Sequence, residues 1–412
     1  MESLPQNTSW NPYDQVANLC ISYTKRQNGY GIFMEIYVVK KEDTVDSIAD
    51  SYGISASSII YNNQLTFPYA LAIGQALLLS TDSPSSSAYP AYVNGYAYPF
   101  IEQTVLNETL PFLTTLSVFS YGFTTEGELV PPQLDDSFMI QSALNSGVRP
   151  ILTLTPFGPD GNFNNFLITT IVNDESAKEN LIANLLFTLQ EKGFGGVDID
   201  FEYILSEDRI PFADFVAEVR NSLAPYGYHV SVALAPKTSD SQAGLLYAGK
   251  DYGLLGEAAD SVLLMTYEWG YTYGPPMAVA PLNKVREVVE YAVTRISPSK
   301  IDLGIPNYGY DWTLPYVRGA SEATVISNLE AVQIAVENDA AISFDETAMS
   351  PFFRYEKDGQ LHEVWFEDVR SYRAKFSLLP AYGLRGMGYW QIMRFFRPNW
   401  LLLADTFQIQ KI

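Results

Sequence analysis

The sequence is poor in the residue types that most redox and metal chemistry requires. It has one cysteine, Cys20. An intrachain disulfide is therefore impossible, and cysteine-based zinc sites and iron–sulfur clusters are excluded. Its two histidines, His229 and His362, lie far apart in the chain. That is poor material for a histidine metal centre or a Ser-His-Asp triad, so no metal and no cofactor is expected. Basic residues are scarce as well: 25 Lys and Arg stand against 47 Asp and Glu, a formal net charge of −22. A surface of that sign repels phosphate backbones and anionic headgroups, so neither nucleic acid nor membrane is an expected partner. No apolar run approaches the roughly 18–20 residues of a membrane-spanning helix. Residues 1–35 lack the apolar core and small-residue cleavage site of a signal peptide and read as an N-terminal extension. Met34 opens a well-patterned segment, which leaves two readings of the residues before it: an extension ahead of a natural start near Met34, or an ordinary tail.

Aromatic residues, in contrast, are plentiful: 28 Tyr, 23 Phe and 6 Trp. Aromatic rings stack on the C–H faces of sugars and carboxylates pair with hydroxyls, so an acidic, aromatic-rich chain leans toward carbohydrate.

Residues 36–80 form a small unit. IYVVKK alternates like a strand. Asp43 or Thr44 then caps a helix whose apolar Val45, Ile48, Ala49 and Tyr52 share one face, with Gly53 as its stop. Ser55 opens a second short helix, and ALLLS closes as a strand after Gly74. The order is βααβ. Tyr37-x-Val39, Asp43-Thr44, Ile48-Ala49, Tyr52-Gly53, Asn63-x-Leu65 and Gly74-Gln75-x-Leu77 resemble the LysM pattern in order and spacing, except that Glu42 stands where that family usually has Gly. The resemblance implies binding of N-acetylglucosamine glycans, in peptidoglycan or chitin. It places the groove between the loop at Asp43 and Thr44 and the segment from Asn63 to Ile73. A Ser/Pro-rich stretch, 81–87, reads as a linker.

From residue 88 to 412, strand-like runs alternate with helical stretches. The runs are 91–98, 116–123, 149–157, 196–204, 228–236, 261–269, 301–310 and 383–392. Eight strands, most followed by helical spacing, fit a (β/α)8 TIM barrel. About 313–373 is too long for one loop and helix. It includes a hairpin pattern around Asp358-Gly359 and reads as a small α+β insertion after the seventh strand.

The fourth strand carries the chemistry. In Gly196-Val197-Asp198-Ile199-Asp200-Phe201-Glu202 the acids fall two residues apart. Strand side chains alternate, so Asp198, Asp200 and Glu202 share one face, while Val197, Ile199 and Phe201 take the other. Three inward carboxylates are costly to bury unpaired, and their crowding drives their pKa values apart. Glu202 lies nearest the C-terminal mouth, where barrel enzymes build their sites.

This strand resembles the acidic motif Asp-x-x-Asp-x-Asp-x-Glu of glycoside hydrolase family 18, with Gly195 in place of the first acid. Met265-x-Tyr267 at the end of the sixth strand and Trp390 at the end of the eighth resemble further elements of that family. The resemblance implies Glu202 as general acid and base, Asp200 and Tyr267 as partners of the substrate's acetamido group, Asp198 as holder of a proton shared with Asp200, and Trp390 as the floor under the reacting sugar. Met265-Thr266-Tyr267-Glu268-Trp269, Ala235-Pro236-Lys237-Thr238 and Gly304-Ile305-Pro306-x-Tyr308-Gly309 are similar to LysM-bearing, endospore-linked N-acetylglucosaminidases that act on cortex fragments. A chitinase, or a lectin without activity, remains as an alternative. A monomer at the spore coat, cortex or cell wall is implied. Trp269, Tyr271, Tyr308 and Trp312 fall on mouth loops, where they are expected to stack on sugars.

Overall fold

The structure, a computed structural model, describes residues 31–83, 88–158, 161 and 163–412. Positions 1–30 of the expected extension, with Cys20, and positions 84–87 of the expected linker lie outside the described residues.

The N-terminal module has the expected order: strand Gly31–Val38, helices Val45–Tyr52 and Ala56–Asn62, strand Ala76–Ser83. The strands are antiparallel, with Gly31 opposite Ser83. The first strand thus begins at Gly31 rather than Ile36, and the last runs into the segment expected as linker. Thr44 is the first helix's N-cap, in a capping box with Ser47, and Gly53 closes that helix at φ 64°. Strand alternation explains how the module is held. Leu77 and Leu79 join Val45, Ile48 and Ile59 in its own core. Leu78, between them, faces the other way and joins Met34 in the core of the larger domain. Both faces of the sheet are therefore covered. Arg373 donates to the Met34 carbonyl at 2.8 Å, and the Ile342 amide to the Ile73 carbonyl at 2.8 Å. Gly74 allows this contact: at φ 82°, a Cβ there would lie 1.9 Å from the Ile342 carbonyl oxygen.

The larger domain is a closed barrel of eight parallel strands: Tyr89–Ala97, Thr115–Phe123, Arg149–Leu154, Gly196–Ile199, His229–Leu234, Ser261–Leu264, Ile301–Pro306 and Gly386–Trp390. Closure is parallel, with Gly386 opposite Tyr92 in the first strand. All eight expected runs contribute a strand, but from the third onward the strands are shorter than the runs. The fourth ends at Ile199 and the sixth at Leu264. Their remaining residues include Asp200, whose amide still donates to the Leu154 carbonyl at 2.9 Å, and then Glu202 and Tyr267 at the mouth. Outward-facing Val197 and Ile199 are fully buried under helices, and Phe201 stacks on Phe212 and Phe215 at 5.7 and 5.8 Å.

The seventh run divides. Ile301–Pro306 belongs to the barrel, whereas Gly309–Thr313 turns away into a second sheet. The Asn307 amide group holds this corner by donating to the carbonyls of Gln391 and Arg394. The second sheet is antiparallel, in the order Thr324–Ile326, Gly309–Thr313, Gln360–Trp365, Ser350–Lys357, Ser343–Asp345, and is accompanied by helix Asn328–Glu337. Asp358 and Gly359 form its tight hairpin turn, both at positive φ. The insertion thus starts at Gly309 rather than 313. Helix Val369–Phe376, partly assigned to it from sequence, packs Val369, Tyr372 and Phe376 into the barrel core.

Candidate active site

The carboxylates of the fourth strand climb the barrel axis into progressively wetter surroundings. Asp198 is buried at the centre. Its Oδ2 accepts from the Tyr96 hydroxyl at 2.8 Å and its Oδ1 from the Ser231 hydroxyl at 2.6 Å. Burial pushes its carboxyl above the usual range against the pull of those two bonds. Asp200, one step higher, is also buried, and its Oδ1 has no hydrogen-bond partner among the described residues. Burial, then the charges of Glu202 and Asp198, push its carboxyl well above the usual range. Glu202 is half-buried at the mouth. Burial, then the negative charges of Asp200 and Glu202, raise the Tyr267 phenol. Desolvated like charges in a column favour the state in which a proton is shared, and this is the arrangement in which one carboxyl can act as acid while another bears charge.

An aromatic floor lies beside this column. Trp390 ends the eighth strand, with its ring 4.9 Å from Phe119, 5.7 Å from Tyr96 and 6.1 Å from Tyr98. Met265 packs in the same cluster. Edge contacts continue from Phe119 to Phe157, Phe163 and Tyr203 on one side, and Tyr98 stacks on exposed Phe100 on the other. The result is a track of rings across the mouth with Trp390 near its middle.

Several expected contacts are placed differently. Tyr308 is buried, and its hydroxyl donates to Glu268, as does that of Tyr310. It orients that carboxylate and offers no face for stacking. Trp312 is buried in the insertion with its indole N–H on the Gly274 carbonyl. Trp269 is half-buried and Tyr271 exposed, so these remain on the rim. In the N-terminal module, Asn63 is buried with its amide fully committed: Oδ1 accepts from the Leu78 amide, and Nδ2 donates to the carbonyls of Ile59 and Leu78. It therefore holds the second helix to the last strand and has nothing left for a sugar. The Asp43 carboxylate accepts from the Lys40 amide and the Tyr37 hydroxyl, both at 2.7 Å, which lowers its pKa. Thr44 is a helix cap. The exposed surface of the expected groove is instead aromatic, at Phe67 and Tyr69.

The missing first acid of the motif also has a physical account. A Cβ at Gly195 would lie 2.2 Å from the Arg149 Cγ, so the Arg149 side chain occupies the space that an acid there would need. Sequence reasoning missed Tyr96 and Ser231, the two donors to Asp198. Each alternates inward within its strand, the only signal for either, but their meeting depends on register across the barrel.

The buried carboxylates cost stability at neutral pH, with a defined sign. The Asp200 pKa is raised on folding, so below the ordinary carboxylate range of about 3.9 both states are protonated and there is no penalty. Stability is lost as pH rises from there through the folded-state value. Asp200→Asn is therefore expected to be more stable than the wild type near pH 7, by roughly 1–3 kcal/mol, with the gap closing toward pH 4. Thermal unfolding of both proteins across that range checks this, and an equal or lower melting temperature for the variant near pH 7 contradicts it.

A closed (β/α)8 barrel with stepped carboxylates rising to an aromatic-floored mouth is the architecture of a glycosidase. The chain belongs to glycosyl hydrolases family 18: the family's sequence model matches residues 152–394, and a LysM domain model matches residues 37–80. It is 39% identical over 430 aligned positions to the cortical fragment-lytic enzyme of Bacillus subtilis (strain 168), covering 92% of this chain and 99% of that protein. The crystal structure of the Bacillus cereus spore cortex-lytic enzyme SleL superposes with a TM-score of 0.88 at 32% identity, over 92% of this chain and 99% of that one. A chitinase from Chromobacterium violaceum aligns over 77% of this chain and 98% of its own, with a TM-score of 0.70 and 25% identity.

Proposed function

We propose that this glycosidase cleaves N-acetylglucosaminyl linkages of peptidoglycan, in spore-cortex fragments, with retention of anomeric configuration and with the substrate's own 2-acetamido group as nucleophile. One observation carries the reading. The Asp200 Oδ1 is buried without a partner among the described residues, between Asp198 below and Glu202 above, and its charge reaches the Tyr267 phenol. A buried carboxyl oxygen left empty costs free energy unless a ligand group completes it. The acetamido N–H of a sugar seated on Trp390 fills that role.

The steps follow from the residues. Glu202 gives its proton to the glycosidic oxygen as the C–O bond breaks, and the acetamido carbonyl oxygen forms the new bond to the anomeric carbon. The resulting oxazolinium ring is positive. Asp200 accepts its N–H and offsets that charge, while Tyr267 donates to the acetamido oxygen. Asp198, fixed by Tyr96 and Ser231, takes up the charge or the proton that Asp200 does not hold. Glu202, now ionised, removes a proton from the water that reopens the ring.

The preference for cortex fragments over chitin is drawn from the two spore-lytic relatives, which match nearly the whole chain including the N-terminal module. The chitinase matches a smaller share. The module, with Phe67 and Tyr69 exposed, serves attachment to the glycan and places the enzyme at the cortex. Mass spectrometry of products from cortex fragments and from chitooligosaccharides, incubated side by side, tests the assignment. Faster release from cortex fragments is expected, and cleavage of chitooligosaccharides alone would make the enzyme a chitinase.

A further inference from the structure

A fully buried lysine lies at the catalytic end of the barrel. Lys250 is fully buried, and its Nζ donates to the Ala233 carbonyl at 3.1 Å. Ala233 is on the fifth barrel strand, two residues beyond Ser231, whose hydroxyl binds Asp198. The fourth and fifth strands run parallel with Asp198 opposite Ser231, which brings Ala233 level with Asp200. The ammonium is thus held at the height of the unpartnered carboxyl. It is anchored from behind: buried Lys237 donates its Nζ to the Lys250 carbonyl at 2.8 Å, and its amide to the Tyr252 hydroxyl at 3.0 Å. Among the described residues no carboxylate lies within ion-pair distance of Lys250. A buried ammonium with one carbonyl partner costs several kcal/mol unless longer-range charges offset it. Burial pulls the Lys250 ammonium below the usual lysine range, and the charges that oppose this are those of Glu202, then Asp200. Other ionisable groups coupled to Asp200 or Glu202 are Asp198 from the fourth strand, Tyr203 after it, Tyr96 and Tyr98 from the first, and Tyr267 and Glu268 after the sixth, while Lys237 after the fifth holds the Lys250 carbonyl.

We propose that Lys250 is a positioning residue for the reaction: its ammonium, held level with Asp200, offsets one negative charge of the carboxylate column and so sets the pH window of activity. This rests on the roles given to Glu202 and Asp200 above. A cation favours an ionised carboxylate, so its removal raises the pH at which Asp200 loses its proton.

Lys250→Met keeps the chain length and removes the charge. On a soluble N-acetylglucosaminyl substrate, both limbs of the kcat/KM–pH profile are expected to move upward by about one pH unit, and Lys250→Arg should bring them back. Unmoved limbs in the folded Met variant, or an equal loss of rate at every pH, would overturn the proposal. A second measurement does not depend on that variant folding. Lysine 13Cε resonances are titrated in the wild type and in Glu202→Gln. Coupling is reciprocal, so neutralising Glu202 should lower the Lys250 midpoint; an unchanged midpoint overturns the proposal. The titration needs no turnover. A wild type without glycosidase activity would therefore sink the proposed function and leave this coupling to stand or fall separately.

Discussion

Glu202→Gln should lose about 10²–10⁴-fold in kcat while folding normally and still binding sugar. The change is isosteric and removes only the transferable proton. Glu202 is half-buried at the mouth, and its side chain makes no hydrogen bond or ion pair within the described residues, so the fold does not depend on its charge. The charge matters instead to its neighbours. It raises the Asp200 carboxyl and the Tyr267 phenol, and the variant should relax both. Binding can be followed through the fluorescence of Trp390, which sits beside the column. A variant that folds and keeps more than about a tenth of wild-type turnover would show that another group protonates the leaving oxygen.

Much of this site was legible in the chain because a strand writes its geometry into its sequence. The period of two in Asp198, Asp200 and Glu202 fixes their common face, and Val197, Ile199 and Phe201 fill the other. The hairpin at Asp358-Gly359 was legible for a similar reason, since both turn residues sit at positive φ, where Gly and Asp are tolerated. What the sequence did not reveal depends on partners far along the chain. Tyr96 reaches Asp198 across 102 positions and Ser231 across 33, and only closure and register bring them together. Tyr308 and Trp312 were misread as stacking residues because the run 301–310 looks like one strand. The chain leaves the barrel after Pro306, and the second sheet buries both rings. Asn63 shows the opposite failure. Its place in the LysM pattern is real, but the reason for an amide there is its three backbone hydrogen bonds, not a sugar. Lys250 had no signal at all, since a lysine in a Gly-rich loop reads as solvated until the fold buries it.

The nucleophile is the second decisive point. Asp200 is desolvated and pushed toward its protonated form, which makes it a poor attacking group, and Asp198 below it is held by Tyr96 and Ser231. Both environments disfavour a glycosyl-enzyme bond, which is why the proposed mechanism takes the attacking oxygen from the substrate. Attack by the acetamido oxygen gives two inversions at one carbon and a product of retained configuration. Proton NMR of the first-formed anomer distinguishes this route from direct attack by water. Substrates without the 2-acetamido group should bind to the aromatic track yet show no detectable cleavage. A thiazoline mimic of the cyclised sugar should bind more tightly than the substrate, because it resembles a species met only along the reaction path. Asp200→Asn should leave substrate affinity nearly unchanged and lower kcat by about 10²-fold or more, because the charge it offsets appears only as the ring closes. That loss would accompany the gain in stability expected for the same variant, as it should where a buried carboxyl is kept for catalysis at a cost to the fold. An inverted product would mean that water attacks directly with a carboxylate as its base. Asp200 would then have to act as a base in the resting site, against the burial and charge crowding that push it toward its protonated form.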